Sequence, residues 1–286
     1  MRWPDRRWLA GAGVAVALGA VVVVLVRAPV PAVSGPGTAA LTGPESMPHS
    51  HVMMAAPNGP VPVGGTASSA GGYSFVVTSE SPFTFHIAGP GGVAVTRFAV
   101  VHDRPLHLIV VRRDLSGFQH VHPTMAADGT WTYPLTLPAP GTYRAYADFT
   151  ATDAAGRQSA VVLGVDLADG VAAPRALPAP STVDSVDGLT VSYEGPLTVG
   201  VAEPLLFHVS RDGVPVAVQP YLGAYGHLTM LRRDDLAYLH IHPEPDLVGG
   251  AAKFWVAAPS AGTYRMFLNV RVDSVVHTAG FTVVVP

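Results

Sequence analysis

Residues 107–123 read "HLIVVRRDLSGFQHVHP", and residues 227–243 read "HLTMLRRDDLAYLHIHP". The two phrases stand 120 residues apart, align without a gap and share eight of seventeen letters. Each joins an apolar run, a charged turn around Arg-Arg-Asp, and a second short run ending in His-x-His-Pro. Runs of this kind on either side of a polar break are strand signals. Proline has no N–H for a ladder, so it closes the second strand or confines it to an edge. The phrase predicts a β-hairpin, and its repetition predicts two copies of the domain around it.

The repeat extends outward. Before and after the first phrase come "YSFVVT" (73–78), "FTFHI" (83–87), "TWTYPL" (130–135) and "TYRAYADF" (142–149). The second copy follows with "LTVSY" (189–193), "LLFHV" (205–209) and "KFWVAAPSAGTYRMFLNV" (253–270), so "FTFHI" matches "LLFHV" and each copy has a late "GTYR" strand. No stretch beyond Val26 keeps a helical period. The expectation is an all-β protein of two tandem immunoglobulin-like β-sandwiches, residues 73–170 and 184–286, joined by a linker at 171–183.

The N-terminus is different. Leu9–Val26 is eighteen residues without a charge, about 27 Å as a helix and close to a bilayer's hydrocarbon thickness. Arg2, Arg6 and Arg7 precede it and Arg27 follows, which predicts a cytoplasmic N-terminus and an extracytoplasmic remainder. Residues 1–27 are therefore expected to be a membrane anchor. A signal segment cut near "AVS" (Ala32–Ser34) is the alternative, which would give a secreted protein. Residues 28–72, rich in Pro, Gly and Ala, read as a flexible tether.

Composition narrows the chemistry. With no cysteine there are no thiolate metal sites, disulfides or cysteine nucleophiles. Charged residues are 13% of the chain, the formal charge is −3, and no basic patch stands out, which argues against nucleic acid as a partner.

His120 and His122 are two residues apart on a strand and so point to one face, roughly 6.5–7 Å apart. Two imidazoles at that spacing converge on an ion at metal–nitrogen distances of about 2.0–2.1 Å. His107 joins them if the turn has an even length, two residues or four centred on Leu115-Ser116. Ile109 then faces His122, Val111 faces His120, and His107 lies diagonal to His122. An odd length would send His107 to the other face. His227, His240 and His242 share this conditional geometry. Three imidazoles with an open position suit Cu(II) or Zn(II), and copper binds more tightly at comparable sites.

A second cluster, "MPHSHVMM" (47–54), sets Met47, His49, His51 and Met53 at alternate positions, where thioether and imidazole together suit copper. The competing reading makes the histidines hydrogen-bonded core residues that a duplicated fold repeats without function. His86, His208, His102 and His277 read as structural or incidental, and Asp148, aligned with Asn269, would serve only the first copy as a carboxylate ligand. Arg112-Arg113-Asp114 and Arg232-Arg233-Asp234 read as ion pairs that fix the turns.

The phrases "FQHVHP" and "YLHIHP", followed by an "APGTYR"-type strand, resemble uncharacterised exported bacterial proteins with His-x-His-Pro β-domains. More loosely, residues 73–286 are similar in architecture to CopC-type periplasmic copper-binding β-sandwiches. That resemblance implies Cu(II) bound through histidines. The chain departs from it in showing no equivalent of the ligand that CopC-type proteins carry at the mature N-terminus. The functional expectation is a membrane-tethered extracytoplasmic metal-binding protein, for copper with zinc as the alternative, acting in tolerance, delivery or sensing. The rival is a non-metal structural or protein-interaction module. A zinc hydrolase ranks last, because no general base stands near the His-x-His pairs, so the protein is expected not to be an enzyme.

Overall fold

Apolar runs between Gly, Pro and Asp turns build only strands among the described residues. In this computed structural model these are residues 63–241 and 244–286, the side chains of Asp169 and His240 excepted. The first half supplies β1 (Ser69–Ala70), β2 (Tyr73–Glu80), β3 (Phe83–Ala88), β4 (Leu106–Arg112) and β5 (Gln119–Val121). It continues with β6 (Thr124–Met125), β7 (Trp131–Tyr133), β8 (Gly141–Thr152) and β9 (Gln158–Asp169). The second half supplies β10 (Val183–Val186), β11 (Leu189–Glu194), β12 (Glu203–Arg211), β13 (Val214–Pro215) and β14 (His227–Arg232). It ends with β15 (Tyr238–Ile241), β16 (Ala252–Val256), β17 (Gly262–Val272) and β18 (Val275–Val285).

Each half stacks two antiparallel sheets. In the first, β1-β2-β3-β7-β6 faces β5-β4-β8-β9. In the second, β10-β11-β12-β13 with β16 on β12 faces β15-β14-β17-β18. Phe85, Ile87 and Trp131 meet Leu108, Val110 and Ala147 in the first core. Phe207 and Phe254 meet Leu228, Met230 and Phe281 in the second. The protein is thus all-β, with immunoglobulin-like sandwich packing in each half. The helix expected over Leu9–Val26 lies outside the described residues.

The repeated "GTYR" has a physical basis. Tyr143 Oη donates to Ala139 O at 2.6 Å, and Tyr264 Oη donates to Ser260 O at 2.8 Å. This corner ties the entry of a long strand to its preceding turn. Two residues before each tyrosine, Gly141 and Gly262 have φ of 142° and 139°, which a side chain disfavours.

The His hairpin forms in a register shifted from the expected one. Ile109 pairs with His120 rather than His122, and Leu108 pairs with Val121. A shift of two residues preserves the face of every side chain, so His107 stays with the His-x-His pair, and it lies nearer to His122 than the diagonal arrangement would put it. Thr229 pairs with His240 in the equivalent register. In the first turn Arg112 bonds Asp114, as expected, with Nη1···Oδ2 at 2.6 Å. In the second, Arg232 bonds Asp235 instead of Asp234, with Nε···Oδ1 at 2.8 Å. The cause is one more residue inside the second turn: Arg232 N donates to Ala237 O, whereas Arg112 N donates to Ser116 O.

A third apolar cluster joins the halves. Ile109, Val111 and Tyr146 from β4 and β8 pack with Leu231, Tyr238 and Phe267 from β14, β15 and β17. Phe118 stacks on Phe267 with centroids 4.1 Å apart, and Tyr146 stacks on Tyr238 at 5.1 Å. Residues 63–72, expected to belong to the tether, take part in this seam and in β1. Gly64 exchanges backbone hydrogen bonds with Tyr238 (3.2 and 3.1 Å), and Gly65 N donates to Val162 O at 3.1 Å. Composition misled because backbone pairing needs no side chains. Glycine is required here: a Cβ at Gly65 would lie 2.3 Å from the Tyr146 ring.

Candidate metal centre

Strand alternation builds the site. Leu108 and Val110 point into the first sandwich core, so His107, Ile109 and Val111 point to the opposite face, toward the other half. His120 and His122 share that face. Nδ1 of His107 lies 3.0 Å from Nε2 of His120 and 3.2 Å from Nε2 of His122. These are the three residues among those described whose ligand atoms gather within 4.8 Å of one another as a candidate cation site. His107 is buried and the other two are partly buried.

The outward-facing nitrogens define the tautomers. Nε2 of His107 lies 3.1 Å from the peptide oxygen of Val101, which can only accept, so the proton sits on Nε2 and the Nδ1 lone pair faces inward. Nδ1 of His120 lies 3.1 Å from Oδ1 of Asn269, whose Nδ2 donates to Thr278 Oγ1 at 2.8 Å. That assignment leaves the His120 Nε2 lone pair facing inward too. Burial lowers the pKa of His107 to about 4, with the His120 ring adding to the effect and Asp148 opposing it. Burial likewise lowers His120 to about 4, and His122, helped by the His107 ring, to about 3. The three rings are therefore neutral at pH 7, with His107 Nδ1 facing the Nε2 atoms of both His120 and His122. Two ligand nitrogens at about 2.0–2.1 Å from one ion lie about 2.9 Å apart at a right angle and about 3.3 Å apart in a tetrahedron. The observed separations fall between those limits.

The other half supplies the surroundings. His227 sits against the centre, with its ring centroid 6.0 Å from His107 and 5.7 Å from His120. It repeats the anchoring of His107, because its Nε2 lies 3.2 Å from Tyr221 O, six residues earlier, just as Val101 precedes His107. His102, read from sequence as incidental, stands edge-on to His227 at 5.2 Å and to His107 at 6.5 Å. Asp148 pairs in register with His107 and is buried, and it accepts from Tyr238 Oη at 3.1 Å. Its charge acts on the His107 and His120 rings.

Of the other expected ligands, Met47, His49, His51, Met53 and His242 lie outside the described residues, as does the side chain of His240. His208 forms an exposed pair with Glu194 at 3.4 Å, and His277 bonds Asp187 at 2.8 Å, consistent with structural roles. Sequence reasoning did not find His102 or Asn269. His102 lies in a turn with φ of 48°, where strand periodicity carries no information. The equivalence of Asn269 with Asp148 was the available signal.

A search of curated proteins gave no match. Among solved structures, the chicken CNTN1 FN1–FN3 domains are similar at 11% identity, with a TM-score of 0.22, covering 81% of this chain and 68% of that one. A DUF3823 family protein from Bacteroides uniformis ATCC 8492 is similar at 13% identity, with a TM-score of 0.22, covering 68% of this chain and 95% of that one. A family profile described as a domain of unknown function, DUF8832, matches residues 47–166 and 184–286, and the chain belongs to that family.

Proposed function

We propose that the protein binds a transition-metal ion, copper in preference to zinc, through His107 Nδ1, His120 Nε2 and His122 Nε2, and that it does so outside the cytoplasm on an N-terminal membrane tether. The observation that carries the reading is the convergence of three neutral imidazole nitrogens, with His107 Nδ1 at 3.0 and 3.2 Å from Nε2 of His120 and His122 and the outer nitrogens of His107 and His120 held by oxygen acceptors. Metal-binding histidines are typically oriented by an outer acceptor in this way. A three-imidazole set without thiolate suits Cu(II), which binds more tightly than Zn(II) at comparable sites. The likeness of the His-x-His-Pro phrases to exported bacterial β-domains, and of the architecture to CopC-type copper proteins, favours handling of copper in tolerance, delivery or sensing over catalysis.

The test is metal uptake by the full chain. Cu(II) and Zn(II) titrations, read by mass and EPR, should show an ion that is lost on His120→Ala/His122→Ala substitution while the β-sheet spectrum is retained. Unchanged metal content in the double variant would refute the site. The rival reading, histidines bracing the sandwich, predicts instead a lower melting temperature in that variant and no rise on adding metal.

A further inference from the structure

We infer that Asn269 is the positioning residue of the centre, so that the second half of the chain sets the metal affinity of the first. This rests on the metal-binding reading above. Asn269 lies on β17 opposite His227, is 5% exposed, and presents Oδ1 to Nδ1 of His120 at 3.1 Å from 149 residues away in sequence. Its own amide is held by Thr278 on β18 at 2.8 Å. The chain Thr278–Asn269–His120 fixes the ring rotation and keeps the His120 proton on Nδ1, which leaves Nε2 as the donor atom. A hydrogen bond from the outer N–H of a ligand imidazole raises its basicity, and removing the acceptor typically costs about 10–100-fold in metal affinity. The equivalent position in the first half is Asp148, which pairs with His107 as Asn269 pairs with His227. A carboxylate is therefore the natural substitute acceptor: one oxygen takes the His120 N–H and the other takes the Thr278 hydroxyl.

The experiment is Cu(II) and Zn(II) competition titration of the full chain with Asn269→Leu, Asn269→Asp and Thr278→Val, alongside metal-free melting curves. Asn269→Leu should weaken binding about 10–100-fold, and its Cu(II) EPR spectrum should change in nitrogen pattern. Asn269→Asp should bind as tightly as the native chain or more tightly, with the native spectrum. Thr278→Val, at an exposed position, should weaken binding by a smaller factor than Asn269→Leu. Native affinity in Asn269→Leu overturns the inference while leaving the metal site intact. So does a loss in Asn269→Asp as large as that in Asn269→Leu. Should Asn269→Leu fail to fold, the other two variants decide: native affinity with Asp and reduced affinity with Val sustain it, and the reverse overturns it. A native chain that takes up no ion refutes the metal reading, and the 15N shifts of His120 then decide. The Nδ1–H tautomer should be present in the native chain and lost in Asn269→Leu; an unchanged tautomer overturns the positioning role.

Discussion

His107 and His227 hold the same place in the two halves of the chain, and their ring centroids lie 6.0 Å apart. Aromatic partners cross over around them: Phe118 stacks on Phe267, and Tyr146 stacks on Tyr238. In the repeat Tyr238 is the counterpart of Phe118, and Phe267 is the counterpart of Tyr146. Phe118 thus touches the counterpart of Tyr146, and Tyr146 touches the counterpart of Phe118, the contact rule of a two-fold interface. The histidines of the candidate centre sit beside this seam.

Loosening the seam should cost stability. Phe267→Ala removes a buried ring stacked on Phe118 and is expected to lower the unfolding free energy by about 3 kcal/mol in urea denaturation. Adding Phe118→Ala should cost less than the sum of the single losses, because both changes delete one stacked pair.

Gly65→Ala should be more damaging than a surface glycine change. Gly65 has φ of 72° and its Cβ would meet the buried Tyr146 ring. A loss of about 2 kcal/mol or more is expected from strain and displacement together. Gly71→Ala, at φ of 59° where a Cβ would make only an ordinary 4.0 Å contact with the Tyr73 ring, should cost about 1 kcal/mol from the backbone alone. Equal losses at the two positions would contradict the packing described for Gly65.

The aspartates at equivalent positions in the two turns should differ. Arg112 and Asp114 are 6% and 4% exposed in their side chains, and Asp114 also accepts from Ser116 and from Arg175 N at 2.7 Å. Asp114→Ala leaves a buried guanidinium uncompensated and should cost about 3–5 kcal/mol. Asp234→Ala, at the exposed equivalent that makes no ion pair with Arg232, should fall within about 0.5 kcal/mol of the native value. Thermal melting of both variants checks this.

The metal-free protein should lose stability on mild acidification. His107, His120 and His122 have folded pKa values of about 4, 4 and 3 against 6.5 unfolded. Between those values the unfolded chain binds more protons, so stability rises with pH across that interval. Stability should therefore be flat above about pH 6.5 and fall as pH drops through 5 toward 4. Urea unfolding in the presence of a chelator at pH 7.5, 5.5 and 4.5 measures it, and His122→Asn should flatten the slope.

Much of this architecture is legible in the sequence, and the remainder is hidden for identifiable reasons. Period-two alternation assigns His107, His120 and His122 to one face, and that assignment survives the register shift because parity does. The "GTYR" repeat marks a hydrogen-bonded corner in each half. Alternation does not say what covers a face. The unbroken apolar run Leu108–Val111 carries a hint, since every residue from Leu106 to Arg112 is buried and a strand buried on both sides reads as continuous rather than alternating. The cover turns out to be the other half of the chain, which brings Asn269 and His227 to the site through tertiary packing alone. His102, Gly64 and Gly65 act through turn geometry and backbone bonds, where side-chain pattern is silent.

The crossed pairing of Phe118 with Phe267 and Tyr146 with Tyr238 has one more implication. A surface that fits its own duplicate should also fit a second molecule of itself. Either half produced as a separate polypeptide would expose that aromatic face, and it should self-associate; in the intact chain the linker keeps the matching surface close at hand and makes the pairing intramolecular.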